Sequence, residues 1–172
     1  MTDAIRDPAR ADVGASAAGA RLAQRATIQL VLDTASLLSR MIESDTVRGL
    51  IFLGVIAANT RHLRPGSPEA QAYAAADEVV PDSMRRGVSV HALSHQVNLP
   101  YETTRRHVQK LIEAGLCERR EDGIIAPAAA LSGPRMLNAV ERNLANVFKF
   151  VDELERGGVL AVRRSPPPDG AA

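Results

Sequence analysis

Tryptophan is absent from this 172-residue chain, and aromatic residues together make up only 3% of it. A large pocket lined by aromatic rings is therefore not expected, because such sites draw on those side chains. A single cysteine, Cys117, excludes an intrachain disulfide and suits a reducing compartment, so a cytoplasmic location is expected. No leader peptide is visible, since the opening MTDAIRDPARADVG is polar and mixed in charge. The longest apolar run, Gly49 to Ala58, falls short of the roughly 20 residues that span a bilayer, so no membrane partner is expected. Net charge is only +1, so global charge does not point to nucleic acid.

Chemistry-bearing patterns are also scarce. There is no nucleophile–base pair, no phosphate-cradling glycine loop and no carboxylate pair at active-site spacing. The expectation is no enzyme activity and no cofactor. His91 and His95 share one helical face, but zinc would need a further ligand that no Cys or acid pattern supplies. No metal is expected. Phosphate contact by His95, or simple exposure, stays open.

Apolar content of 45% and charged content of 24% are ordinary for a globular chain. Ala and Leu are abundant and β-branched runs few, which favours helices. Residues 1–20 lack apolar periodicity and read as a flexible arm. From Leu22 to Ile42, the residues Ile28, Val31, Leu32, Ala35, Leu38 and Ile42 recur at helical spacing. Ser44 is a candidate N-cap for a second helix, Asp45 to Leu63, which Pro65-Gly66 stops. That helix is apolar nearly all round and must be covered on more than one face, in part by a second subunit if there is one. Residues 65–87 form a connector whose middle, EAQAYAAADE, is a candidate short helix. A last helix is expected from Pro134 to Arg156, with Ser132 as cap and Gly157-Gly158 as stop. Leu137, Val140, Leu144, Val147, Val151 and Leu154 give it a narrow apolar seam. Packing within one subunit and a dimer seam both account for it. The end, RRSPPPDGAA, reads as a tail.

The informative stretch is VSVHALSHQVNLPYETTRRHVQKLIEAGLCERREDGIIAP, Val88 to Pro127. Ser89 can cap a helix that begins at Val90, and Asn98-Leu99-Pro100 makes a tight turn. A further helix starts near Tyr101 with Thr104, Val108, Leu111 and Ile112 facing a core, and Gly115 stops it. Cys117 to Glu121 and Ile124 to Ala126 read as two short strands joined by Asp122-Gly123, a strong hairpin signal. Helix, tight turn, helix and hairpin in this order resemble the winged helix-turn-helix domain of bacterial transcriptional regulators, the broad group of MarR-, IclR-, GntR- and Lrp-type proteins. The resemblance covers about a quarter of the chain. Pro100 departs from the pattern, standing where such domains often carry a Ser or Thr cap. The wing is short, and the connector from Asp45–Leu63 is long for that group.

Charge distribution agrees with a DNA-binding reading. Between Arg85 and Arg120 there are seven basic residues (Arg85, Arg86, Arg105, Arg106, Lys110, Arg119, Arg120) against three acids (Glu102, Glu113, Glu118). A local basic face is what phosphate requires. With Thr104, Val108 and Leu111 inward, Tyr101, Glu102, Thr103, Arg105, Arg106 and Gln109 face out. Arg can grip guanine, Gln adenine and Glu cytosine, and a Thr methyl can touch the thymine methyl. Arg119 and Arg120 would lie on a wing beside the backbone or minor groove. Ser89 and His95 complete the candidate DNA contacts. His107 reads as structural, and Cys117 as a small strand hydrophobe rather than a redox sensor.

The expectation is thus a mainly α protein: a winged helix-turn-helix at 88–127 with a short hairpin wing, flanked by N-terminal helices at 21–64 and a C-terminal helix at 128–158. The tail covers 159–172. The expected function is transcriptional regulation through duplex DNA, as a homodimer on two half-sites, with or without a small-molecule effector. The competing reading is a protein-interaction module whose winged helix no longer meets DNA.

Overall fold

The computed structural model describes residues 17–42 and 45–160. Ser44, most of the expected arm and the tail from 161 lie outside the described residues. Contacts divide the chain into two compact units, residues 33–144 and the two ends, 1–32 with 145–172. The fold is mainly helical, with one small two-stranded antiparallel sheet.

Helix α1 (Ala17–Met41) begins inside the stretch expected to be a loose arm. Ala and Leu at the start sustain helix without needing a wide apolar stripe, so periodicity alone under-reads it. Helix α2 (Thr46–Thr60) is capped by Asp45, whose carboxylate accepts from the Arg48 N–H at 2.9 Å. The cap is therefore Asp45, one residue later than expected, and the helix ends at Thr60 rather than Leu63. Ile51, Phe52 and Val55 are fully buried, while Val47 and Leu50 stay exposed. One flank of this apolar helix is thus covered by its own chain, and another is not.

The connector holds only a single turn of helix, α3 (Pro68–Gln71), capped by Ser67, and a 3-10 turn at Asp82–Met84. Most of the Ala-rich middle is not helical. Helix α4 (Val90–Gln96) starts where Ser89 accepts from the Ala92 N–H at 3.1 Å. Asn98 takes a left-handed φ of 51° in the turn, a conformation that Asn tolerates better than most residues. Helix α5 (Tyr101–Glu113) then buries Thr104, Val108 and Leu111 in line, as its spacing predicts. Thr104 Oγ1 donates to the Pro100 carbonyl at 3.2 Å, which satisfies a hydroxyl held inside the core.

Strands β1 (Glu118–Arg120) and β2 (Gly123–Ile125) pair in the register Glu118–Ile125, Arg119–Ile124 and Arg120–Gly123. The two turn residues are therefore Glu121 and Asp122; Gly123 belongs to β2, and Cys117 and Ala126 flank the strands. The reason is tertiary. Val88 bridges Ile124 through two backbone hydrogen bonds, at 3.0 and 2.9 Å. A Cβ on Gly123, whose φ is +134°, would stand 2.8 Å from the Val88 backbone. Glycine is required there both by this φ, which side-chain-bearing residues rarely adopt, and by the closeness of the crossing segment.

Helix α2 packs against α4, α5 and β2, and α4 against α5. The core so formed includes Ile51, Phe52, Val55, Leu93, Val108, Leu111 and Ile124. Each fully buried side chain of this size contributes about 1.5–3 kcal/mol. Gly54 sets the closeness of α2 to α4, because a Cβ there would meet Leu93 and Val97 methyls at 2.9 Å. A four-residue helix, α6 (Ala128–Leu131), precedes α7 (Pro134–Arg156). Ser132 ends α6, its Oγ donating to the Ala128 carbonyl at 2.7 Å, and so does not serve as the expected cap of α7.

Within the unit of the two ends, a Cβ on Gly157 would collide with Leu22. Ile28, Val31 and Leu32 on α1, and Val147 and Phe148 on α7, are exposed there. Within the other unit, Arg135 donates to the Arg40 carbonyl at 2.7 Å, and Val140 and Leu144 are exposed. No described helix is long and apolar enough to cross a membrane.

Candidate nucleic-acid interface

Burial of one side of α5 decides what its other side presents. Tyr101, Glu102, Arg105, Arg106, Gln109 and Lys110 are exposed, and Thr103 is half-buried. The exposed face combines forked cations, an amide and a carboxylate, groups that can read base edges in a major groove. Its members are not equally free. Arg105 Nε donates to Glu102 Oε2 at 3.0 Å, and Gln109 Nε2 to Glu113 Oε1 at 3.1 Å. Arg106 makes no ion pair among the described residues and is the more available of the two adjacent arginines.

The turn before α5 gathers His91, His95 and Tyr101 around one shallow groove, with Ser94 and Leu99. The imidazoles of His91 and His95 meet edge to face at 4.6 Å between ring centres. No group of three metal-ligating side chains occurs among the described residues. A second groove brings His95 beside Arg61, Gly87 and Gln96. Arg61, in the cap of α2, was not singled out by the sequence, because nothing local links it to the motif. Ser89 is exposed, but its hydroxyl oxygen is occupied as the α4 cap.

The hairpin separates its two arginines. Arg119 is exposed and carries no ion pair among the described residues. Arg120 is held by Glu118 Oε1 at 2.7 Å and Asp82 Oδ2 at 3.4 Å, and also donates to the Asp82 carbonyl at 3.2 Å. Two carboxylates thus offset its charge.

Arg85 departs from the expected basic face. It is buried, its Nη2 donating to the Val80 carbonyl of the connector at 2.8 Å, so it adds nothing to the exposed charge. Asp82 was missed altogether. Its carboxylate accepts from the Ala128 N–H at 2.6 Å and pairs with both Arg85 and Arg120. Asp122 was read only as a turn residue, yet its Oδ2 accepts from the Gly87 N–H at 2.6 Å and fixes the hairpin tip to the strand-like segment before α4.

His107 sits half-buried behind the exposed face, its Nδ1 3.6 Å from Asp45 Oδ2. Burial alone would raise the Asp45 pKa. The Arg48 N–H and the positive charges of His107, Arg48 and Lys110 outweigh that and hold it below its ordinary value. Cys117 is buried, and burial pushes its thiol up to about 12. A protonated, shielded thiol is a packing group. The chain matches no family model, no curated protein and no solved structure.

Proposed function

We propose that this chain binds duplex DNA sequence-specifically and regulates transcription as a cytoplasmic homodimer. In this reading Val88–Pro127 is a winged helix-turn-helix, with α5 as recognition helix and the β1–β2 hairpin as wing. The observation that carries the reading is the split character of α5. Its apolar side anchors it on α2 and α4, while Tyr101, Glu102, Arg105, Arg106 and Gln109 project together from the other. A helix held this way can enter a major groove as a rigid body. Arg119 on the hairpin and His95 on α4 then meet phosphates.

Dimerisation has its own support in the exposed apolar residues Ile28, Val31, Leu32, Val147 and Phe148. Exposed large apolar residues grouped on a helix face are a common feature of association sites. Two copies on half-sites roughly 34 Å apart would double the base contacts of a small module.

A gel-shift titration against a random duplex pool tests the reading. Binding that falls steeply with salt, and a selected motif with two-fold symmetry, are the expected results. Absence of binding at low salt for the folded protein overturns it and favours a protein-interaction role for the same scaffold.

A further inference from the structure

Within residues 33–144 lies a cavity of about 440 Å3. Leu38 of α1, Leu53 and Ile56 of α2, and Met136 and Ala139 of α7 supply apolar walls. Connector residues from Tyr73 to Val80 line another side. Its size is within the roughly 300–1,000 Å3 used by small-molecule sites.

One wall residue is a buried cation. The Arg85 side chain is 2% exposed. Its Nη2 donates to the Val80 carbonyl at 2.8 Å. Its Nε lies 3.5 Å from Asp82 Oδ1 but lacks a hydrogen bond, and its buried Nη1 has no partner among the described residues. Burial pushes the Arg85 pKa down and Arg120 adds to this, while Asp82 opposes both. Arginine nonetheless keeps its proton in proteins, so the charge must be balanced rather than shed. Asp82 balances it only in part, because the same carboxylate serves Arg120 and the Ala128 N–H. Glu78, an acid on the wall, is exposed and accepts from the Ala75 N–H at 3.0 Å. A buried donor left without an acceptor is costly. The walls therefore combine a half-open apolar groove with one guanidinium that is only partly satisfied.

We propose that this cavity binds an apolar carboxylate, its anionic head paired with the Arg85 guanidinium and its hydrocarbon body among Leu38, Leu53, Ile56, Met136 and Ala139. A carboxylate matches the guanidinium fork, and the low polarity around it strengthens the pair. Because Nη1 is covered, the ligand must draw the guanidinium toward itself or displace part of the Tyr73–Val80 cover. Drawing the guanidinium toward the ligand weakens its contact with Asp82 and leaves that carboxylate to Arg120 on β1 and the Ala128 N–H. Only an effect of this change at the hairpin on DNA binding rests on the DNA-binding reading.

Calorimetry on the full chain decides the site, with octanoate and 2-naphthoate as probes against octanol and 2-naphthol. Saturable one-site binding is expected, with each acid at least about tenfold tighter than its neutral counterpart. In Arg85→Leu the acids lose about tenfold or more and the alcohols do not. Circular dichroism checks that this variant folds. If it does not, Ala74→Trp, at an exposed wall position, is expected to weaken the acids and alcohols alike. Equal affinity for acid and alcohol, non-saturating uptake, or no binding by either acid overturns the proposal. A gel shift with and without acid separates the two readings. Acid binding without DNA binding keeps the site and removes the regulator; DNA binding without acid binding does the reverse.

Discussion

The side chain of Asn59 on α2 reaches the backbone of Ile124 on β2, its Nδ2 donating to that carbonyl at 3.1 Å. The same amide donates to the Arg86 carbonyl at 2.8 Å and accepts from the Ala126 N–H at 2.9 Å. One fully buried side chain thus satisfies backbone groups of the segment before α4, of β2 and of the residue that follows it. Replacement by alanine strands several of them in a dry site. Asn59→Ala is expected to destabilise by on the order of 3 kcal/mol, read by urea unfolding. Amide exchange at Ala126 should accelerate beyond that of α2. A loss too small to measure would mean that water takes over the bonds.

Arg105 and Arg106 are adjacent but not equivalent, because Glu102 already holds Arg105. If α5 reads DNA, Arg106→Ala should cost about 1–3 kcal/mol of specific affinity. Glu102→Gln frees Arg105 and removes a negative charge, so non-specific binding should tighten at low salt. Fluorescence anisotropy measures the first on a selected duplex and the second on an unrelated one. Unchanged affinity in Arg106→Ala would count heavily against α5 as the reading element.

Asp45 ties α2 to α5 electrostatically, through His107 and Lys110. Its pKa in the folded state lies below the ordinary 3.8, so the unfolded chain binds more protons across the acid range. The stability it contributes is whole above that ordinary value and drains away as pH falls through the folded one. Asp45→Asn keeps a capping side chain but removes the titration. Stability should therefore depend less on pH between about 5 and 3 in that variant. Parallel slopes for the two proteins in denaturant melts would sink the assignment.

Cys117 should resist alkylation in the native protein. With its thiol pushed up to about 12, only roughly one molecule in ten thousand is a thiolate at pH 8. Iodoacetamide labelling monitored by mass spectrometry is expected to track unfolding by urea. Fast native labelling would show a site open to solvent.

Phe148 is 64% exposed, the most exposed of the large apolar side chains among the described residues. Light scattering should show a dimer at micromolar concentration, and Phe148→Glu should give a folded monomer. A charge on an apolar contact surface is not tolerated without a partner. A monomeric parent protein would remove the dimer from the proposal.

Some of this architecture was plain in the residues. Ser89, Asn98 and the step Thr104, Val108, Leu111 act within a few positions of themselves, so their roles in α4, the turn and α5 follow from spacing. The exposed face of α5 followed with them. The hairpin was legible but its turn was misplaced by one residue, because Val88 is distant in sequence from Gly123 and its approach leaves no local mark. Arg85 looked like one more surface cation for the same reason: its cover comes from other segments.

The sequence alone determined the long helices α2, α5 and α7, the short α4 and the polar outer face of α5, since helical periodicity and capping are short-range effects, but not α6. Tertiary structure decided which polar groups are spent internally. Asn59, Asp82, Asp122 and Arg85 each meet partners or walls far along the chain, and burial strengthens the contacts of Asn59 and Arg85. No pattern of neighbours could reveal it, because desolvation is a property of the assembled fold.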